Sequence, residues 1–345
     1  MSLFPASFAV PGALDTPTGG YAYARRLLGA APGAGLDLAH LALPGGFPAP
    51  DAGALRTTCD VLEHAPADRP LLIDGLAYGA LPLDLVRRIR APIVVLCHHP
   101  LALETGLDAH TARALADTER AALAEARHVL TTSHATAEIL RHDYGVAPGK
   151  LTVAPPGTDP APRAPRRERK CQLLSVGSIS PRKGHPALIE ALAPRAHLDW
   201  SLRIVGPARD PDALAKLKSA ISGNELGSRI TLAGALPAAE LAAAYQSADL
   251  FVLASNYEGF GMVFTEAMSH GLPTVGLTCP AVEEATGGGA CLVPLEDLSA
   301  TLGLLISDQG TRDALAERCW TAAQTFLRWP QTATIVAGVL KEVKA

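Results

Sequence analysis

Residues 255–276 read SNYEGFGMVFTEAMSHGLPTVG and follow the apolar run DLFVLAS at 249–255. The apolar run is typical of a buried strand, the two glycines of NYEGFG indicate a turn, and the GLP sequence would end the helix that follows. Two carboxylates are therefore close in the chain, Glu258 in the turn and Glu266 just inside the helix. In open α/β sheets, ligands bind at the carboxyl ends of strands, which is where this turn lies.

Further apolar runs alternate with segments of helical period along the rest of the chain. Several are apolar at every position, as strands covered on both faces of a sheet are. This alternation predicts an α/β protein built from parallel sheets. The runs are LLIDG (71–75), IVVLC (93–97), HVLTTS (128–133), LTVAPPG (151–157), CQLLSVG (171–177), SLRIVG (201–206), RITLAG (229–234), DLFVLAS (249–255), PTVGL (273–277) and ACLVP (290–294).

The length of 345 residues predicts two domains, because a single core usually stops growing at roughly 250–300 residues. The stretch 155–170, PPGTDPAPRAPRRERK, holds five prolines and is predicted to be an extended, exposed connection between them. We place two doubly wound domains at 1–160 and 161–328, and a last helix within 329–345. The connection also carries the basic cluster Arg163, Arg166, Arg167, Arg169 and Lys170.

Composition argues against several classes of protein. A formal net charge of −4 with 19% charged residues gives no support for nucleic acid as the main partner, because phosphate binding needs a basic excess. The six cysteines contain no CxxC pair and favour a reducing cytoplasm. No run approaches the ~18 apolar residues of a membrane span, and the N-terminus lacks the basic region of a signal peptide. A cytoplasmic protein with a small or neutral ligand is predicted.

Charged residues beside the predicted strand ends could bind an anionic ligand. Arg182 and Lys183 lie at the turn of VGSISPRKGHPALIEAL (176–192), where a basic pair near a helix N-terminus suits a diphosphate. Glu266 is close enough to the same sheet edge to reach a ribose diol. Taken singly, these residues have plainer interpretations, namely a solvated basic pair and a glutamate favoured by the helix dipole.

The first half of the chain has candidates of its own. Gly19 and Gly20 open a helix in TPTGGYAYARRLL (16–28) and would let the backbone approach a phosphate closely. His98 and His99 follow the strand IVVLC, and Asp74 stands at the end of another strand, where cleft residues are expected. A simple turn, structural histidines and a helix-capping aspartate are the alternatives.

The motif E-G-F-G-M-V-F-T-E, with seven residues between its glutamates and G-L-P-T-V downstream, closely resembles the donor-binding signature of retaining GT-B glycosyltransferases of family 4, the glycosyl transferases group 1. The resemblance implies two Rossmann-like domains that face each other across a cleft. The N-terminal domain would bind the acceptor and the C-terminal domain the nucleotide sugar. It also implies that the last helix crosses back to the N-terminal domain.

In that family the first glutamate contacts hydroxyls of the donor sugar, the following amides bind sugar and phosphate, and the second glutamate holds the ribose. An arginine and a lysine in the earlier turn bind the donor pyrophosphate. One departure is Ser178, which stands where many members have arginine, and we take Arg182 as the substitute. Carried over, the donor-binding residues are Arg182, Lys183, Glu258, Gly259, Phe260, Gly261, Met262 and Glu266.

The resemblance extends to the first half of the chain. Gly19 and Gly20 match the family's N-terminal glycine loop, which closes over the donor from the acceptor side, so they complete the predicted donor-binding set. One of the two histidines would approach the donor sugar at the reaction centre, and Tyr21 and Asp74 are acceptor-side candidates. The predicted catalytic set is therefore His98, His99, Glu258, Arg182 and Lys183.

Together these implications predict a retaining glycosyltransferase that needs no metal and no cofactor beyond its nucleotide-sugar co-substrate. It would move a hexosyl group from a UDP- or GDP-linked sugar to a hydroxyl of a sugar, lipid-linked or small-molecule acceptor, in glycan, glycolipid or polysaccharide synthesis. A nucleotide-sugar epimerase of the same fold and a non-catalytic nucleotide-sugar-binding subunit are the alternatives. The basic run LVRRIR (85–90) either contacts the inner face of a membrane peripherally or forms a solvated face.

Overall fold

The structure is a computed structural model that describes residues 3–165 and 170–343. Arg166, Arg167 and Arg169 of the basic cluster lie outside the described residues. The chain forms two compact units: unit 1 comprises 1–157 and 327–345, and unit 2 comprises 158–326. Each unit contains one six-stranded, wholly parallel sheet with helices, which confirms the prediction of an α/β protein.

Unit 1 is built around a sheet with the strand order β2-β1-β3-β4-β5-β6. Its four inner strands are apolar and buried along most of their length, as strands covered on both faces of a sheet are, whereas the two edge strands are only partly buried. The strands are β1 (Phe4–Pro11), β2 (Leu36–Leu43), β3 (Leu71–Asp74), β4 (Ile93–Cys97), β5 (His128–Thr131) and β6 (Leu151–Val153). The helices are α1 (Gly19–Ala30), α2 (Ala52–Glu63), α3 (Gly75–Tyr78), α4 (Leu83–Val86), α5 (Ala109–Glu125) and α6 (His134–Asp143).

Unit 2 has the strand order β12-β11-β10-β7-β8-β9. From β7 the chain winds outward to β9 on one side, then returns to β10 beside β7 and winds outward again on the other. The strands are β7 (Cys171–Val176), β8 (Trp200–Val205), β9 (Ile230–Leu232), β10 (Leu250–Leu253), β11 (Thr274–Leu277) and β12 (Cys291–Val293). The helices are α7 (His185–Leu192), α8 (Pro211–Gly223), α9 (Ala238–Ser247), α10 (Met262–Ser269), α11 (Pro280–Thr286), α12 (Leu295–Ser307) and α13 (Gln309–Ala323).

All ten apolar runs identified from the sequence contain strands, but β1 and β2 were missed. The prolines at both ends of FPASFAVP resembled a broken segment, although Pro5 and Pro11 lie near the strand ends, where a missing N–H is tolerated. The strand β2, LDLAHLAL, lies at the sheet edge and is only partly buried, so it lacks a continuous apolar run.

The connection after β6 differs from the expected exposed segment, because Pro156, Gly157 and Thr158 are buried. A Cβ atom on Gly157 would collide with the backbone of Arg328 and Trp329. Only glycine therefore allows the segment that leaves unit 1 at Gly157 to lie against the segment that returns to it at Arg328 and Trp329. The remainder of the connection is irregular in the part that the structure describes.

The last helix, α14 (Trp329–Glu342), packs within unit 1 against α1. It begins at Trp329, with Pro330 in its first turn, where proline is favoured. The Trp329 ring lies edge-on to Tyr23 at 5.4 Å between centroids. No helix within 3–165 and 170–343 is long and apolar enough to span a membrane.

We expect Gly157→Ala to lower the free energy of unfolding by about 1–3 kcal/mol, because the added methyl has no room beside the backbone of Trp329. Gly338→Ala is the matched control, since Gly338 lies exposed within α14 and an added Cβ would meet nothing within 4 Å. Alanine there should stabilise α14 by about 0.5–1 kcal/mol. Thermal unfolding followed by circular dichroism measures both, and equal effects would contradict the packing described for Gly157.

Candidate functional site

The candidate site in unit 2 lies where the winding of the sheet reverses, between the neighbouring strands β7 and β10. Ligands of doubly wound sheets bind at this kind of switch point, beyond the carboxyl ends of the strands. The loop after β7 carries Arg182 and Lys183, and the loop after β10 carries Glu258. Gly184, with φ +61°, lies so close to the Ala254 carbonyl that a Cβ would collide with it. Glycine at this position allows the two loops to touch.

A buried ion cluster joins the two loops. The Nζ of Lys183 lies 2.6 Å from Oε1 of Glu258, and Nη1 of Arg182 lies 3.2 Å from Oε2. The Ser255 hydroxyl donates to Oε1 at 2.6 Å. Burial alone would raise the pKa of Glu258, but the charges of Lys183 and Arg182 and these hydrogen bonds hold it below its usual value. Glu258 is therefore ionised at neutral pH although only 6% of it is exposed.

The backbone after Glu258 turns directly into α10. Gly261 caps the helix in the left-handed region at φ +97°, a conformation that glycine adopts without strain. The helix then begins at Met262, so its N-terminus, with its partial positive charge, lies next to the loop that holds Glu258. Phe260 and Met262 are partly exposed. This arrangement can attract an anion to the same place as the two cations.

Glu266 lies on α10 and accepts a hydrogen bond from a residue that the sequence did not single out. The Tyr245 hydroxyl donates to Oε2 of Glu266 at 2.9 Å. Tyr245 is buried and its ring stacks on His270 at 5.0 Å between centroids. Burial and the nearby Glu266 charge raise the pKa of Tyr245 well above its usual value, so the phenol stays protonated as a donor. A tyrosine in the apolar pattern of α9 resembles any core residue, so nothing in the sequence marks it.

The structure brings the predicted donor residues of unit 2 together in part. Arg182, Lys183 and Glu258 are in direct contact, and Gly259 to Met262 continue from Glu258 into α10. Glu266 lies one helical turn further along. Ser178 lies in the same loop as Arg182, and it is Arg182 whose guanidinium donates to Glu258 and to the Tyr257 carbonyl. Their roles toward a ligand stay predictions.

In unit 1, His98 and Asp74 form a pair at the carboxyl ends of β4 and β3. Their Nε2 and Oδ2 atoms are 3.3 Å apart, and the other Asp74 oxygen accepts the Leu76 N–H at 2.9 Å as the N-cap of α3. Asp74 is therefore a capping residue and a histidine partner at once. A Cβ on Gly20, in the first turn of α1, would lie 3.4 Å from the His98 ring.

His99, which follows His98 in the chain, contacts a different residue. Its Nε2 lies 3.5 Å from Oε2 of Glu104, in the loop that follows β4. Gly20, Asp74 and His98 thus lie together, which favours His98 over His99 as the site histidine of unit 1. Gly19 is the first residue of α1 and precedes Gly20. The Tyr21 hydroxyl packs close to Gly12, since a Cβ atom built on Gly12 would lie 3.0 Å from it.

Glu119 of α5 is a buried carboxylate that sequence reasoning missed. Its Oε2 accepts the Leu101 N–H at 2.9 Å and so anchors the loop that carries both histidines. Burial raises the pKa of Glu119 to about 7, against the lowering effect of the hydrogen bonds from Leu101 and Tyr144. In the sequence, Glu119 belongs to a charged helix pattern typical of a solvated face, so nothing marked it.

The basic run on LVRRIR is partly neutralised. Nε of Arg87 lies 2.8 Å from Glu125, and Nε of Arg88 lies 2.7 Å from Glu63. These ion pairs reduce the positive charge that the run could offer to anionic lipid. Peripheral membrane contact stays a prediction, which flotation with anionic liposomes would test.

Acidic, histidine and cysteine side chains do not gather into a metal centre in the part of the chain that the structure describes. No group of three or more of them there is placed to hold a metal ion. Independence from metals stays a prediction, because a metal can also be held by a bound diphosphate.

Two family models match adjacent parts of the chain. Residues 53–162 match Glycosyltransferase Family 4, and residues 161–319 match Glycosyl transferases group 1. The second match contains Arg182, Lys183 and the motif from Glu258 to Glu266. Together the two matches reach from α2 to the end region of α13.

Two proteins with named activities are similar to this chain in sequence. The chain is 27% identical over 324 residues to the MMP alpha-(1->4)-mannosyltransferase of Mycolicibacterium hassiacum, covering 85% of this chain and 78% of that protein. It is 31% identical over 234 residues to the D-inositol 3-phosphate glycosyltransferase of Kineococcus radiotolerans, covering 57% of this chain and 53% of that protein. The second match thus spans about half the length of that relative.

Solved structures share the whole fold. Sucrose-phosphate synthase of Thermosynechococcus elongatus superposes with a TM-score of 0.82 at 19% identity, over 99% of both chains. The Anabaena protein HepE, in complex with UDP and glucose, superposes with a TM-score of 0.79 at 16% identity, over 98% of this chain and 100% of that one. At these identities the similarity shows the fold and no more.

The pKa of Glu119 makes the stability of unit 1 depend on pH. Folded Glu119 keeps its proton up to about pH 7, whereas the unfolded carboxyl loses it near 4.5. The folded state therefore binds more protons between these values, and its stability falls as pH rises through this window. Across this window the free energy of unfolding falls by about 3 kcal/mol. We expect Glu119→Gln to abolish this fall, because glutamine does not ionise.

Hydrogen–deuterium exchange of peptides from β3, β4 and β5, measured from pH 5 to pH 8, reports the opening free energy of unit 1 separately. Asp37→Asn, at an exposed position of β2, is the control and should follow the wild-type profile. Parallel profiles for wild type and Glu119→Gln would contradict the raised pKa.

Proposed function

The chain belongs to glycosyltransferase family 4, the glycosyl transferases group 1, with the GT-B fold, and from this premise we propose that it is a retaining transferase of hexosyl groups. The donor would be a nucleoside diphosphate sugar and the acceptor a hydroxyl group. The observation that carries the proposal is the cluster of Arg182, Lys183 and Glu258 at the switch point of unit 2, one helical turn before Glu266.

We assign the donor diphosphate to Arg182 and Lys183. A guanidinium can bind phosphate oxygens through two parallel hydrogen bonds, and an ammonium supplies a point charge. The N-terminus of α10 adds its partial positive charge. When the sugar leaves, negative charge grows on the diphosphate, and these groups stabilise it in a partly buried place where electrostatic contacts are strong.

We assign the sugar and the ribose to the two glutamates. Glu258 is ionised and would accept hydrogen bonds from sugar hydroxyls, beside the cations that hold the phosphates. Glu266, one turn further along α10, would accept from the ribose hydroxyls. Tyr245 would then act as a positioning residue, because its hydroxyl fixes one oxygen of Glu266.

The proposed reaction breaks the bond between C1 of the sugar and the diphosphate oxygen. The acceptor oxygen forms a new bond to C1 on the same face, and its proton passes to the leaving phosphate. In unit 1 we propose His98, oriented by Asp74, as the catalytic histidine near the sugar. The names of relatives that transfer mannose or act on D-inositol 3-phosphate support a sugar or polyol hydroxyl as the acceptor.

A panel of ligands tests the donor site. Differential scanning fluorimetry and calorimetry with UDP, GDP, UDP-glucose and GDP-mannose should show binding by one nucleotide family. A ligand at 100 times its dissociation constant stabilises by ~2.7 kcal/mol. Lys183→Ala and Glu266→Ala should lose this shift, because they remove the proposed phosphate and ribose contacts.

The matched controls are Lys218→Ala and Glu240→Ala, which remove exposed side chains on α8 and α9. Both should keep the wild-type shift. The anomeric configuration of a product, read by NMR, tests retention, and turnover in EDTA tests metal independence. No shift for wild type with any nucleotide would refute the donor site, and binding without turnover on any acceptor would favour the non-catalytic alternative.

The role of Tyr245 gives a separate prediction. Tyr245→Phe removes only the hydroxyl that holds Glu266, so we expect a several-fold weaker affinity for the ribonucleoside diphosphate. The affinity for its 2′,3′-dideoxy analogue should change little, because that ligand has no ribose hydroxyls to bind. Calorimetry with the two ligands gives the comparison. An equal loss for both would mean that Tyr245 acts only on the stability of unit 2.

A further inference from the structure

The two cations assigned to the diphosphate are already paired with a carboxylate in the structure. Glu258 contacts Lys183 at 2.6 Å and Arg182 at 3.2 Å, and their side chains are 7%, 11% and 15% exposed respectively. Ser255 donates to the oxygen that faces Lys183 and so helps to hold the carboxylate in place. The cluster is therefore a fixed arrangement of two positive charges and one negative charge.

This arrangement lowers the positive charge that a diphosphate would meet. With Glu258 ionised, the cluster carries a net charge of +1 instead of +2. Burial weakens screening by water and salt, so the carboxylate repels a nearby diphosphate more strongly than an exposed glutamate would. A free nucleoside diphosphate would contact the two cations but has no sugar hydroxyls that could donate to Glu258 and offset this repulsion.

A sugar-bearing donor differs in one respect. It offers hydroxyl groups that can donate to the Glu258 oxygens, and hydrogen bonds to a charged acceptor are about twice as strong as neutral ones. The same carboxylate that repels the diphosphate thus attracts the sugar. Its effect on affinity has opposite signs for the donor and for the nucleotide product.

We propose that Glu258 is a built-in counter-anion that makes the site select the nucleotide sugar over the free nucleoside diphosphate and speeds product release. This inference rests on the proposed function, since it takes the diphosphate to bind at Arg182 and Lys183. If Glu258 only held the two loops together, replacing it would weaken every ligand alike or none.

The test measures dissociation constants by calorimetry for UDP, GDP, inorganic pyrophosphate, UDP-glucose and GDP-mannose. Glu258→Gln keeps the shape of the side chain but removes its charge, and one acceptor oxygen becomes an amide NH2 group that donates. We expect it to bind the nucleoside diphosphate and pyrophosphate about tenfold more tightly, as the cations lose their partner. Its preference for the sugar-bearing donor over the free nucleotide should fall by at least that factor.

Glu258→Asp guards against loss of folding, because it keeps a charge to pair with the buried cations. Its shorter side chain draws the carboxylate back from Lys183, so its affinity for the nucleoside diphosphate should lie between those of wild type and Glu258→Gln. Glu240→Gln, at an exposed position, is the charge-matched control and should leave all affinities unchanged. Thermal unfolding without ligand verifies that each variant is folded.

Different binding results would overturn the proposed function and the counter-anion role of Glu258. A wild-type protein that binds neither nucleotide nor nucleotide sugar would overturn the proposed function. Wild-type binding with unchanged or weaker nucleoside diphosphate affinity in both Glu258 variants would overturn the counter-anion role alone. Tighter binding in the order wild type, Asp, Gln, with a falling preference for the sugar, supports it.

Discussion

The need to neutralise a buried carboxylate determines how the two central loops of unit 2 are arranged. Glu258 lies in the loop after β10, and its charge is stabilised by Lys183 and Arg182 from the loop after β7. An unpaired charge at this depth would cost several kcal/mol. The two loops can meet only because β7 and β10 are neighbours, and their adjacency is the point where the winding of the sheet reverses. Sheet topology and site electrostatics therefore depend on each other.

Close backbone packing holds the loops and the helix of the candidate site against the strands of the sheet. Gly184 allows the loop after β7 to touch the end of β10, and Gly276 on β11 leaves room for the Phe264 ring of α10. Phe264 also lies edge-on to Phe251 of β10, at 5.5 Å. The helix that carries Glu266 is thus held against two strands on one side, while Tyr245 of α9 holds the glutamate itself. If Glu266 binds a ligand as proposed, its side chain would lose little entropy on binding, because the helix and Tyr245 already hold it in place.

Much of the fold could be predicted because strands buried on both faces are continuously apolar. The edge strand β2 and the proline-flanked strand β1 were not predicted, because neither is a continuous apolar run. For the candidate site, local motifs singled out Glu258, Glu266, Arg182 and Lys183, whose roles toward a ligand stay predictions, but spacing along the chain cannot tell which side chains pair across two loops. The contact with Asp74 that favours His98 over His99 as the candidate histidine also cannot be read from the sequence. Tyr245 and Glu119 were missed because a buried polar residue on an amphipathic helix has no distinctive sequence signal.

The chain leaves unit 1 after Gly157 and returns to it at Leu327, and Gly157 packs directly against Trp329. Unit 2 is therefore an insertion whose entry and exit lie side by side on unit 1. A ribosome completes unit 2 before it has made α14, which supplies buried Trp329, Val336 and Leu340 to unit 1. Domains fold as units during synthesis. Unit 1, whose first 157 residues are made before unit 2, can therefore complete its core only after unit 2 has been synthesised.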